Sequence, residues 1–201
     1  MNQEDTFLTI KNNAQGIYKE KGSKFLAFAF PVTDEHDIKY HLEELRKTYY
    51  DARHHCYAYM LGKDQKNFRA NDDGEPNHSA GDPILGQIRS YQLTNVLIVV
   101  VRYFGGTKLG VGGLISAYRT AAADALSQAE IITSIVHHRV EIKFPYLMMN
   151  EVMKLVKEYE LEIVSQDFNL SCSLTLSIRA ALLEDAEIKL NRLEGVTFAI
   201  D

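Results

Sequence analysis

The sequence predicts an α+β fold in two units, and three observations carry that reading. The first is Val96 to Arg119, VLIVVVRYFGGTKLGVGGLISAYR, a buried strand followed by a glycine-punctuated loop and an amphipathic helix. The second is the alternation of short β-rich runs with helical patterns through residues 5–131. The third is the order of elements in residues 132–201, which reads βαββαβ.

The elements follow in order. Phe7 to Lys11, Ile17 to Lys19 and Phe25 to Val32 are strands, separated by an Asn12-Asn13 break and a Lys21-Gly22-Ser23 turn, so a small antiparallel meander is expected. Thr33 or Asp34 caps a helix over Glu35 to Tyr50, where Ile38, Leu42 and Leu45 recur at helical spacing. His54 to Leu61 is a strand. A long polar loop, Asn71 to Asp82, precedes a short helix through Ile84, Leu85, Ile88 and Tyr91, and connections of that length tend to carry function or move. Val96 to Val101 is six apolar residues, four of them valine, as a strand covered on both faces requires. The next helix runs from about Gly112 to Ala129, with small residues at Ala121 to Ala125 that permit close packing.

The second unit has strands at Val136 to Phe144, Leu161 to Asp167, Leu170 to Arg179 and Val196 to Ile200, with helices over Tyr146 to Tyr159 and Leu182 to Leu193. That order is the ferredoxin-like arrangement, punctuated by Pro145 before one helix and Gly195 after the other. The domains are therefore placed at residues 1–131 and 132–201.

Composition excludes several roles. No apolar run approaches the roughly 18 residues a membrane span needs, and the N-terminus lacks the charged and apolar regions of a secretory signal, so a cytoplasmic protein without a membrane partner is expected. Cys56 and Cys172 are far apart and read as free thiols. The net charge of −5 argues against a whole-surface grip on nucleic acid. Residues 132–201 carry 7 Lys/Arg against 11 Asp/Glu and residues 1–131 carry 15 against 16, so the first unit is the better candidate for touching phosphate.

The candidate site is the glycine-rich loop. Gly105, Gly106, Gly110, Gly112 and Gly113 leave backbone N–H groups open to a ligand, a helix N-terminus adds partial positive charge, and Arg102, Lys108 and Arg119 add full charges. It is neither a phosphate-binding P-loop nor a dinucleotide fingerprint. The same glycines are also what a tight strand-to-helix connection alone requires.

Other residues have two readings as well. Asp72, Asp73 and Glu75 can hold a hard cation, or form a solvated turn paired with Arg102 or Arg119. On a strand, His54 and Cys56 share one face and His55 takes the other, so with His78 they fall short of a zinc site, and Cys56 reads as a small buried residue. Tyr57, Tyr59, Tyr103 and Phe104 can stack bases or can be half-buried strand residues. No metal, no cofactor and no catalytic residue is assigned.

Three ordered blocks resemble the IMPACT family in its bacterial YigZ-type form: His54-x-Cys56-Tyr57-Ala58-Tyr59, then Asn71 to Pro76 leading to Ala80-Gly81-x-Pro83-Ile84-Leu85, then Val99 to Leu114 with Ala117-Tyr118. The resemblance covers about residues 15–130, and the tail is similar to the small ferredoxin-like domain of bacterial members and to late domains of elongation factor G. Departures are His78-Ser79, where the family has Gly-Thr, and Val101, where threonine is common. The resemblance implies a ribosomal-protein domain-2-like α/β domain followed by a ferredoxin-like domain, and an association with translation. Eukaryotic relatives restrain a starvation-activated initiation-factor kinase, a role that does not transfer to bacteria. The expected function is a non-enzymatic, translation-associated regulator that binds RNA or the ribosome. The alternatives are a hydrolase of a phosphate-bearing or peptide substrate, and a module that binds a protein partner without nucleic acid.

Overall fold

The computed structural model describes residues 5–169 and 171–200. They divide into two compact units, residues 7–134, and residues 135–200 together with Asp5 and Thr6.

The larger unit is built on a five-stranded sheet of β2 (Ala14–Glu20), β3 (Ser23–Pro31), β4 (His54–Leu61), β5 (Asn67–Asn71) and β6 (Val96–Tyr103). Their order is β2-β3-β6-β4-β5 and every neighbouring pair is antiparallel. The central strand is β6, whose apolar run is buried throughout. Alternation divides that run between two cores. Val96, Ile98 and Val100 meet α2 (Gly81–Ser90) and α3 (Gly110–Ser127), while Leu97, Val99 and Val101 face the layer of α1 (Glu35–Thr48). The same alternation sends Cys56, Ala58 and Met60 to the first core and Tyr59 and Leu61 to the second.

Helix α1 is capped by Asp34, whose carboxylate accepts from the Asp37 amide at 2.9 Å. The alanines of α3 let it lie close to the sheet, and Gly16 of β2 meets the Ala125 backbone so closely that a Cβ there would sit 2.3 Å from the Ala125 nitrogen. Small residues on both elements make that approach possible.

In the larger unit three features differ from the sequence expectation. The first strand, β1 (Thr6–Ile10), does not join the expected meander but pairs with β7 (Ile131–Ile135) in a separate two-stranded ribbon. Strand β5 is a further element, which the sequence does not announce because its five residues carry only Phe68 and Ala70 as apolar positions and are mostly exposed, as an edge strand allows. Helix α3 begins at Gly110 rather than Gly112.

The smaller unit has the strand order β11-β8-β10-β9, from β8 (His137–Phe144), β9 (Glu162–Phe168), β10 (Cys172–Arg179) and β11 (Thr197–Ile200). Neighbours are antiparallel. With α4 (Met149–Glu158) between β8 and β9 and α5 (Ala180–Leu190) between β10 and β11, this is the ferredoxin-like fold. Its core gathers Val140, Ile142 and Phe144 with Leu174, Leu176 and Ile178 under Val152, Leu155, Ala186 and Leu190. Residues Tyr146–Met148, expected as helix, form a 3-10 turn that leads into α4. The expected strand start at Leu170 lies outside the described residues. Asp5 is fixed by Arg179, which donates from Nε at 2.6 Å and Nη2 at 2.9 Å, and by the Ala181 amide of α5 at 3.1 Å.

Candidate anion-binding site

The acidic loop after β5 is held by its own carboxylates. Asp72 accepts from the Glu75 amide through its carbonyl, and the residues between, Asp73 at φ 40° and Gly74 at φ 85°, both lie in the left-handed region, giving a type I′ turn that Asp-Gly favours. The Asp72 carboxylate accepts from the amides of His78, Ala80 and Gly81, so it neutralises the N-terminus of α2 from outside the helix. Asp73 accepts from the His55 amide at 2.6 Å and from Arg46 at 2.9 Å. His54 donates from Nδ1 to the Asp73 carbonyl at 2.8 Å, which leaves Nε2 free to accept. His78, at φ 65°, sits 2.7 Å from the exposed Asp82 carboxylate. Glycine adopts that left-handed backbone more readily than histidine does.

Glu75 turns inward. Its Oε1 accepts from Arg102 Nη1 at 2.6 Å and from the Tyr118 hydroxyl at 2.7 Å, with both members of the ion pair under a tenth exposed. The Cys56 thiol lies 3.3 Å from that hydroxyl and 3.0 Å from the Asp72 carbonyl. Burial pushes the Cys56 thiol and the Tyr118 hydroxyl well above their ordinary ranges, so both stay protonated. The carboxylates of the loop are thus each committed to internal partners. Among the described residues, no group of three or more His, Cys, Asp or Glu side chains is placed to hold a metal ion.

Above this network lies a pocket of about 480 Å³, with Arg53, His54, Glu75, Pro76, Arg102, Phe104 and residues Lys108 to Val111 and Leu114 around it. Helix α3 presents its first turn here. Carboxylates serve the N-termini of α1 (Asp34), α2 (Asp72) and α5 (Asp5), but α3 has no side-chain cap and no acidic residue in its first turn. Its first turn therefore carries its partial positive charge without a carboxylate cap, and at an exposed terminus such charge favours a nearby anion by about 0.3–1 kcal/mol. Gly110 has φ 72° and suits no other residue well, while Gly112 would meet nothing within 4 Å if it carried a Cβ. Packing therefore does not explain Gly112, and a glycine inside a helix costs about 0.5–1 kcal/mol relative to alanine.

The expected site residues separate into those the pocket gathers and those it does not. Lys108, Gly110, His54, Glu75 and Phe104 line it, and Gly112 follows in the same turn of α3. Arg102 also lines it but is 6% exposed and paired with Glu75, so it forms a charged floor rather than an exposed surface group. Gly105 is corrected from an anion contact to a packing residue. Its amide donates to Ser23 Oγ at 3.1 Å, and a Cβ would fall 1.9 Å from the Gly22 carbonyl carbon, so this glycine serves contact between the β2–β3 turn and the loop. Gly106, at φ 88°, shapes the loop, and Gly113 is tight against Leu109. Arg119 is exposed farther along α3 and does not line the pocket. Tyr103 belongs to the opposite layer, where its hydroxyl donates to Asp51 at 2.7 Å and that carboxylate pushes it up to about 12. Asp72, Asp73 and His78 shape the loop beneath without lining the pocket. Arg53 is a cation the sequence did not single out, and its place directly before the strand that opens on His54 was the available signal.

No helix among the described residues is long and apolar enough to cross a membrane. Residues 21–126 match the family described as the Impact N-terminal domain. An IMPACT family member of Haemophilus influenzae is 32% identical over 166 residues, covering 82% of this chain and 81% of that one. The IMPACT family member YigZ of Escherichia coli is 30% identical over 172 residues, covering 85% and 84%. A solved structure described as a hypothetical protein superposes with a TM-score of 0.74 at 27% identity, covering 98% of this chain and 96% of the other, so the two-unit α+β fold is shared. More than half of the sequence carries the family domain and most of it aligns with bacterial members, and on those grounds the chain belongs to the IMPACT family.

Proposed function

We propose that this protein is a non-enzymatic, translation-associated regulator that binds RNA or the ribosome, with phosphate seated at the N-terminus of α3. The observation that carries the reading is the uncapped first turn of α3, open at Gly112 and flanked by Lys108. Anions bind such termini because several N–H groups converge on them and the helix dipole favours negative charge. The commitment of Asp72, Asp73 and Glu75 to internal partners favours binding over hydrolysis, since a general base needs a carboxylate that can reach substrate. The ferredoxin-like unit, with net negative charge, is assigned a second docking surface suited to a basic ribosomal protein.

An electrophoretic titration with a structured RNA over a salt series tests this. Lys108→Ala is expected to weaken binding and to lower the logarithmic salt slope by about one. Unchanged affinity and slope would remove the contact. Co-sedimentation of the protein with ribosomal subunits over the same salt range separates the ribosome from free RNA as the partner, and nuclease treatment separates an RNA bridge from direct protein contact.

A further inference from the structure

We infer that the α3 pocket takes a nucleoside phosphomonoester, the chemistry shared by a free mononucleotide and the 5′-phosphorylated end of an RNA; this rests on the nucleic-acid reading above and narrows it from chain to terminus.

The floor of the pocket is the first ground. Arg102 lines the pocket, is more than nine-tenths buried, and spends Nη1 on Glu75 while its Nε has no partner among the described residues. A buried donor without a partner is unusual, and it leaves the Arg102 guanidinium with donor capacity that Glu75 does not use. A group that ends inside the pocket reaches such a floor more readily than an internal phosphodiester, which must lead the chain out again on two sides.

Charge is the second ground. Three cationic side chains, Arg53, Arg102 and Lys108, face one carboxylate, Glu75, and the first turn of α3 adds further positive potential. A phosphomonoester carries a charge of about −1.5 to −2 near neutral pH, which balances this excess better than the single charge of a diester.

The third ground is the apolar part of the wall. Pro76, Leu109, Val111 and Leu114 join Phe104, whose ring is 58% exposed with the Arg102 guanidinium 5.7 Å from its centroid. An exposed flat ring beside a phosphate cradle suits a nucleobase, which stacks on aromatic side chains whatever its sequence. The volume of about 480 Å³ is that of a small-ligand pocket. Inorganic phosphate alone would leave this wall in contact with water.

Fluorescence anisotropy of the full chain tests the inference with a short 3′-labelled oligoribonucleotide in two forms, 5′-phosphorylated and 5′-hydroxyl, with adenosine 5′-monophosphate as competitor. The phosphorylated form is expected to bind about tenfold more tightly. Lys108→Ala and Gly112→Leu abolish that gain, whereas Lys66→Ala, which removes an exposed lysine from the β4–β5 turn, preserves it. Gly112→Leu places its Cβ in open space, and a thermal melt no lower than that of the unaltered protein confirms that lost binding is not lost folding. Competition by the mononucleotide as strong as by the phosphorylated RNA assigns the free nucleotide as the source, and stronger competition by the RNA assigns the chain end. Equal affinity for both RNAs, weakened together by Lys108→Ala, overturns the phosphomonoester and leaves RNA binding standing. Binding of the mononucleotide in a direct calorimetric titration, with neither RNA bound, upholds the phosphomonoester and removes the RNA function, and no binding of any probe removes both.

Discussion

Arg102 and Glu75 form a 2.6 Å ion pair in which the arginine side chain is 8% and the glutamate side chain 4% exposed. The pair joins the central strand to the acidic loop and so sets the floor beneath α3. Removing one partner strands the other charge away from water, which costs more than the pair itself contributes. Glu75→Ala is therefore expected to destabilise the protein by about 3–5 kcal/mol in urea unfolding. The double variant Glu75→Gln/Arg102→Met is expected to recover a large part of that loss, because no buried charge remains. A Glu75→Ala protein with an unchanged urea midpoint would show the pair to be idle.

Two glycines of one loop are expected to respond to alanine with opposite signs. Gly112→Ala places a methyl in open space inside a helix and removes a poor helix former, for a gain of about 0.5–1 kcal/mol. Gly105→Ala drives a methyl into the Gly22–Ser23 backbone, where little can yield, for a loss of about 1–3 kcal/mol. Thermal melts of the two single variants decide it. A stable Gly112→Ala protein with weakened RNA binding marks a glycine kept for its ligand rather than for the fold.

In the smaller unit, the Arg179 guanidinium holds the Asp5 carboxyl at about 2, below its ordinary 3.8. A lowered carboxyl contributes stability that is complete above its unfolded value and disappears as pH falls through its folded value. Asp5→Asn is therefore expected to be less stable than the unaltered protein at neutral pH, with the difference shrinking between about pH 4 and pH 2. Urea midpoints measured across that range test it, and a difference that stays constant would detach Asp5 from the acid limb.

How much of this was legible in the sequence depended on what each residue packs against. The apolar run from Val96 to Val101 announced a strand covered on both faces, and the βαββαβ order of the tail announced its fold, because burial on a regular lattice leaves a period. Strand β5 left only a weak signal, since Asn67 to Asn71 is five residues long with two apolar positions, Phe68 and Ala70, neither fully buried, and gains its place chiefly from pairing with β4. At the site, the loop, Lys108 and the helix terminus were readable as local chain chemistry. The pairing of Arg102 with Glu75 spans 27 residues and the bond from Tyr118 to Glu75 spans 43, so only the assembled fold reveals them. For the same reason Gly105 and Gly112 looked alike in the loop: what differs is the Gly22 backbone against one and open space beside the other.

The last prediction concerns the thiols. Cys56 and Cys172 are both free and buried, and the Cys56 thiol is further held up by burial in the network with Tyr118 and the Asp72 carbonyl. Alkylation requires the thiolate and a path to it, and the native fold withholds both from Cys56. Iodoacetamide at mildly alkaline pH is therefore expected to leave the native protein unlabelled and to label two sites in denaturant. Ser at position 56 would keep a donor toward Asp72 while removing the sulfur, so Cys56→Ser is expected to fold and to bind RNA as before, with a modest loss of stability from the changed packing. Rapid native labelling at Cys56 would mean that the loop carrying Asp72 opens readily. The floor under α3 would then be a mobile element rather than the fixed base that a phosphate site needs.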